Sequence, residues 1–132
     1  MNKRNIEAIR PTCVLVIKAG GGIFYAHFAG NPSAASLREK LNAGGVSLEL
    51  RACGGFDRAA KLPWTLPQAT GESRAAAGDL VLSSGNILAL YRGENGVAFT
   101  KLASPGDTQR EALLAALEGD GARIDLHLEW GE

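Results

Sequence analysis

The stretch RIDLHLEW at 123–130 alternates without a break. Ile124, Leu126, Leu128 and Trp130 fall on one side, and Asp125, His127 and Glu129 on the other. Successive side chains point to opposite faces only in extended backbone, so a period of two marks a half-buried strand and excludes an amphipathic helix. VSLELRAC (46–53) repeats the pattern, with Val46, Leu48 and Leu50 opposed to Ser47, Glu49 and Arg51. CVLVIK (13–18) and IFYAHF (23–28) flank AGGG, the signal of a hairpin closed by a glycine turn. GDLVLSSGNILALYRG (78–93) holds two apolar runs broken at SSGN, and Asn95-Gly96 is a tight-hairpin signal leading into VAFTKL (97–102). The chain has 17 glycines in 132 residues. That is well above the usual share of about 7%, as many short strands joined by turns require.

Two segments follow helical spacing instead. NPSAASLREKLNAGG (31–45) offers Asn31 as a cap, Pro32 at the first helical position, Gly44 as a stop, and Ala34, Leu37 and Leu41 on one face. SPGDTQREALLAALEGDG (104–121) offers Asp107 or Thr108 as a cap, Leu113, Leu114 and Leu117 as the apolar stripe, and Gly119 as a stop. Roughly seven short strands with two helices predict a mainly β domain, a sheet closed into a barrel with helices over its open ends. The expected division is an N-terminal tail over 1–12 and one domain over 13–132, large enough to bury roughly two-thirds of its unfolded surface.

Charge and cysteine content narrow the function. Fourteen basic and fourteen acidic residues give a formal net charge of zero. That argues against nucleic acid, whose binding needs a basic excess, and against a polybasic membrane anchor. No run approaches the roughly 20 apolar residues of a membrane span, and the charged start MNKRNIEAIRPT is no signal peptide, so the expected location is cytoplasmic. Cys13 and Cys53 stand 40 residues apart and form no CxxC pair. They are expected to be small buried thiols, with a disulfide between them left open. His27 and His127 lack a ligand cluster around them, so no metal is expected. AGGG lacks the spacing of a dinucleotide loop and no GxSxG occurs, so no organic cofactor is expected either.

Four stretches in order, FAGNPSAASLREKL, LELRACGGFDRAAKLPWTLP, GDLVLSSGNILALYRG and AFTKLA, together resemble the bacterial cyclophilin-like domain family over roughly residues 13 to 129. The resemblance implies a closed antiparallel cyclophilin-type β-barrel of roughly eight strands with two covering α-helices, in agreement with the pattern reading. Most of that family has no assigned function. The sequence departs from its pattern at Ala52 and Cys53, where members often carry an acidic residue followed by an aromatic or aliphatic one, and at Asp57-Arg58, which replaces a Glu-Lys type pair.

Three functional readings stay open. The first is a noncatalytic module that grips a small molecule or an extended peptide in the cyclophilin-type cleft. The second is a weak peptidyl-prolyl isomerase, which must stabilise a twisted amide whose isomerisation barrier is about 20 kcal/mol. That chemistry needs a donor such as arginine beside an apolar pocket, and Arg51 is the only nearby substitute for the missing arginine-bearing motif. The third is a structural or assembly domain. The stretch CGGFDRAAKLPWTLP (53–67) reads as a long connection, and such connections are usually functional or disordered. The resemblance implies that it runs beside the cyclophilin-type cleft, and on that ground it is the leading candidate for ligand contact. The expected binding residues are Arg51, Phe56, Trp64, Asn86, Tyr91 and Phe99: large aromatics for contact area, an amide for orientation and a guanidinium for a carbonyl or carboxylate. In the competing reading Phe56 and Trp64 plug the barrel side.

Overall fold

A computed structural model of the chain describes residues 12–53, 56–67, 75–92, 99–117 and 122–131. The strands are β1 (Thr12–Ala19), β2 (Gly22–Phe28), β3 (Val46–Cys53), β4 (Phe56–Lys61), β5 (Leu80–Ser83), β6 (Ile87–Leu90), β7 (Thr100–Pro105) and β8 (Ala122–Gly131). Helix α1 (Pro32–Asn42) lies between β2 and β3. A 3₁₀ turn (Asp107–Gln109) leads into helix α2 (Arg110–Ala116) between β7 and β8. The strands pair in the order β1-β2-β7-β5-β6-β4-β3-β8, and β8 returns to β1, so the barrel closes. Every pairing is antiparallel.

The period-two segments set which face is inside. Leu15 and Ile17 of β1, Leu48 and Leu50 of β3, Leu80 and Leu82 of β5, Leu88 and Leu90 of β6, and Ile124 and Leu126 of β8 all join one interior cluster. The β1–β2 turn is a two-residue loop with positive φ at both Gly20 (57°) and Gly21 (83°), the backbone that matches the twist of the flanking strands. A Cβ on Gly20 would stand 2.9 Å from the Ala116 carbonyl, so α2 packs against a turn that only glycine can make.

Both helices close the barrel with their apolar stripes. Asn31 caps α1, its side-chain oxygen accepting from the Ala34 N–H at 2.8 Å, with Pro32 in the first turn. Ala34, Leu37 and Leu41 are buried as the spacing requires. Leu113 and Leu117 bury from α2 and its C-cap, and the Arg58 guanidinium donates to the Leu117 carbonyl at 2.6 Å. Neither Asp107 nor Thr108 caps this segment: Gly106 stands at the cap position without a side-chain bond, and Asp107 instead accepts from Arg110 Nε at 3.3 Å.

The stretch 53–67 is not one long connection. Arg51 pairs with Ala59 across a bulge, and Cys53 with Phe56, so residues 56–61 of the stretch are the second arm of a hairpin. Beyond β4, residues 62–67 run along the β5–β6 turn. Leu62 N–H donates to the Asn86 carbonyl at 2.7 Å and Leu66 N–H to the Gly85 carbonyl at 2.6 Å. The Pro67 carbonyl accepts from Ser33 Oγ at the start of α1. Asn95-Gly96 lies outside the described residues, but the strands on either side of it do not form the expected hairpin, because β5 lies between β6 and β7.

Candidate functional site

The outer face of the barrel carries a row that can be followed from strand to strand. Arg51 of β3 pairs with Ala59 of β4, Ala59 with Ala89 of β6, Ala89 with Val81 of β5, and Val81 with Lys101 of β7. Directly paired residues share a face. The middle of this row forms a second apolar cluster, separate from the interior one: Ala59, Val81 and Ala89, with Ala75, Ile87, Tyr91 and Phe99 packed on it. The floor of the row is at most 1% exposed although it lies outside the barrel. Neighbouring side chains cover it, among them the two half-buried aromatics. Their ring centroids are 5.1 Å apart and tilted by 48°, within the favourable range for aromatic pairs.

Beside the rings lies a buried carboxylate. Asp79 is 1% exposed. An isolated buried charge is costly, and here it is compensated on both oxygens. Oδ1 meets Arg110 Nη1 at 2.6 Å, and Oδ2 accepts from the Ala76 N–H at 2.9 Å. Arg110 Nη1 also donates to the Ala77 carbonyl at 3.1 Å. Burial alone would lower the Arg110 pKa, but the hydrogen bonds and charges of Asp79 and Asp107 outweigh it and hold the guanidinium above its ordinary value. The Asp79 backbone ties this network to the rings, since Tyr91 N–H donates to the Asp79 carbonyl at 2.9 Å and Gly78 N–H to the Tyr91 carbonyl at 2.8 Å. Lys101 Nζ stands 3.8 Å from Asp79 Oδ2, beyond hydrogen-bond reach, with its side chain 36% exposed.

Of the six residues expected from sequence, the structure brings Tyr91 and Phe99 together. Arg51 lies on the same outer face at the β3 end of the row, about 10 Å from Ala89 at two strand spacings. Its guanidinium bonds Glu49 at 2.7 Å, and the two side chains are 73% and 58% exposed. Trp64 packs on the interior cluster, flanked by the buried Leu62 and Leu66, as the plug reading expects. Asn86 precedes β6 where Tyr91 follows it, so the two are about 17 Å apart along the strand. Phe56 opens β4, and its side chain lies outside the described residues. Asp79, Lys101 and Arg110 escaped the sequence reading. The one signal was the parity of Asp79 with Val81 and of Lys101 with Phe99, which puts all four on the outer face.

Two surface clefts lie elsewhere. One of about 360 Å³ runs along the start of α1 between Phe28, Pro32 and Arg38, and one of about 420 Å³ lies at the β1–β2 turn between Lys18, Ile23 and Arg123. Among the described residues, no three His, Cys, Asp or Glu side chains are grouped to hold a metal ion. No helix among them is long and apolar enough to cross a membrane, which says nothing of crossing by strands.

No curated protein and no solved structure matches the chain. A family model described as the cyclophilin-like family matches residues 17–129, the span that holds the barrel from β1 into β8 together with both helices. The chain therefore belongs to the cyclophilin-like family.

Proposed function

We propose that the domain is a noncatalytic binding module that holds a small molecule or a short extended peptide on the barrel's outer wall. The observation that carries this reading is the Tyr91–Phe99 pair, half-buried over Ala59, Val81 and Ala89 and outside the interior core. Rigid aromatics offer large contact area for little lost side-chain entropy. The environment of Arg51 supports binding over isomerisation. Its guanidinium lies in water against Glu49, where a twisted amide would need it desolvated beside an apolar groove. A cytoplasmic location fits the free thiol of Cys13, whose pKa burial pushes up against the opposing charge of Arg38.

A ligand screen followed by amide chemical shifts tests the reading. Hits should perturb Val81, Ala89, Tyr91 and Phe99, and Tyr91→Ala and Phe99→Ala should weaken them while the melting transition persists. Hits confined to the cleft at α1 or to the neighbourhood of Trp64 would contradict it.

One observation favours the assembly reading. Ile23 and Tyr25, two residues apart on the outer face of β2, are 52% and 43% exposed. Neighbouring exposed hydrophobics on one face are the kind of surface from which an apolar contact patch is built. Sedimentation of the protein over a concentration series separates the two readings: a monomer at every concentration removes self-assembly.

A further inference from the structure

We infer that the outer-wall site takes a ligand bearing a flat apolar ring and a carboxylate, with Lys101 as the partner of the charge. The inference rests on the reading of that wall as a binding surface and names the ligand chemistry it selects.

The argument starts from Asp79. This carboxylate is 1% exposed, yet its compensation is complete without Lys101. Arg110 neutralises Oδ1 at 2.6 Å, and the Ala76 N–H meets Oδ2 at 2.9 Å. Arg110 is held to the protein by Nη1, which donates to Asp79 and the Ala77 carbonyl, and by Nε, which faces Asp107. Lys101 stays at 3.8 Å, outside hydrogen-bond distance and partly in water. An ammonium with three donors on a flexible stem can therefore turn to an incoming anion without orphaning the buried acid.

Position makes that charge useful. Lys101 follows Phe99 by two residues at the start of β7, about 7 Å away in extended backbone, and pairs directly with Val81 in the floor of the wall. A ring stacked on Tyr91 and Phe99 thus has an ammonium within one short side chain of its edge. Arg51, two strands beyond Ala89 and engaged by Glu49, is too far to share this role with a ligand of that size.

The test uses phenylpropionate and its neutral amide, titrated by amide chemical shifts and calorimetry into the wild-type protein, Lys101→Met, Lys101→Arg and Phe99→Ala. The acid should bind at least tenfold tighter than the amide to the wild type. Lys101→Met should bring that ratio to about one and Lys101→Arg should keep most of it. Phe99→Ala should weaken both probes. Acid and amide binding equally to the wild type would overturn the role of Lys101 while leaving the wall as a binding surface. Failure of both probes to bind, or binding indifferent to Phe99→Ala, would overturn the wall itself. If Lys101→Met does not fold, the wild-type acid-to-amide ratio and its loss in high salt decide the question. A peptide ending in phenylalanine, tested as acid and as amide, tells a chain terminus from a free small acid.

Discussion

The barrel interior and the β6–β5–β7 outer wall are both apolar, and they are built differently. The interior is filled by branched aliphatic side chains, with Leu15, Ile17, Leu50, Leu82 and Leu102 at 0% exposure, contributed by strands from all round the barrel. The wall has a floor of two alanines and a valine under two half-exposed rings, with a buried ion pair at its side. Close-packed aliphatic cores are intolerant of lost volume. The floor of the wall is covered in its turn, and in the proposed reading the partly exposed rings above it are the surface that a ligand covers. In the proposed reading the contrast separates residues that make the fold from residues that meet a ligand. Trp64 packs on the interior cluster, and Tyr91 and Phe99 pack on the outer one.

The contrast breaks first where volume is removed from the interior. Leu82→Ala is expected to cost about 3–4 kcal/mol of unfolding free energy, within the range seen for leucine truncation in tight cores, and denaturant titration measures it. Asp79→Ala comes next, at about 2–3 kcal/mol. It removes the buried partner of Arg110, but that side chain keeps the Ala77 carbonyl, Asp107 and 23% exposure and so escapes the full penalty of a buried unpaired charge. Trp64→Ala is expected to cost about 2 kcal/mol and Phe99→Ala about 1 kcal/mol, both below the value for a fully buried aromatic. Equal losses at these two positions would erase the division between plug and wall. Arg51→Ala should change stability by less than about 0.5 kcal/mol, as for other exposed ion pairs.

Asp125 gives the smallest effect and fixes its sign. The hydroxyl of Ser47 donates to its carboxylate and Arg123 lies beside it, which together hold its pKa below the ordinary value against a small opposing cost of burial. A folded-state pKa below the unfolded one contributes stability above the unfolded value of about 4, and loses it as pH falls through the folded value. Asp125→Asn should therefore lower stability slightly at neutral pH, leave it unchanged well below the folded pKa, and so flatten the acid limb of the stability curve. A variant whose acid limb steepens would contradict the assignment.

Much of the fold was legible in the sequence because its signals are local. RIDLHLEW and VSLELRAC state their buried faces by parity, Asn31-Pro32 states a helix start, and AGGG states a two-residue turn that Gly20 and Gly21 make. The misreading at 53–67 has a physical cause. FDRAAK has no alternation of its own, because Ala59 faces the covered outer wall and Ala60 the interior, so both are buried and neither looks like a strand. The site was legible only in part. Tyr91 and Phe99 announce themselves as aromatics, but their meeting depends on the β6-β5-β7 order, which no short stretch encodes. Asp79 and Lys101 look like ordinary surface charges until the register places them beside the rings.

The central claim is that the Tyr91–Phe99 pair serves binding and the interior serves folding. The most direct test is an amide chemical-shift titration of phenylpropionate into the wild-type protein and Phe99→Ala, with the melting transition of each recorded on the same samples. The account predicts saturable shifts at Val81, Ala89 and Tyr91 in the wild type, their loss in Phe99→Ala, and a variant that still melts cooperatively within a few degrees of the wild type. A variant that unfolds, or one that binds as well as the wild type, would contradict it.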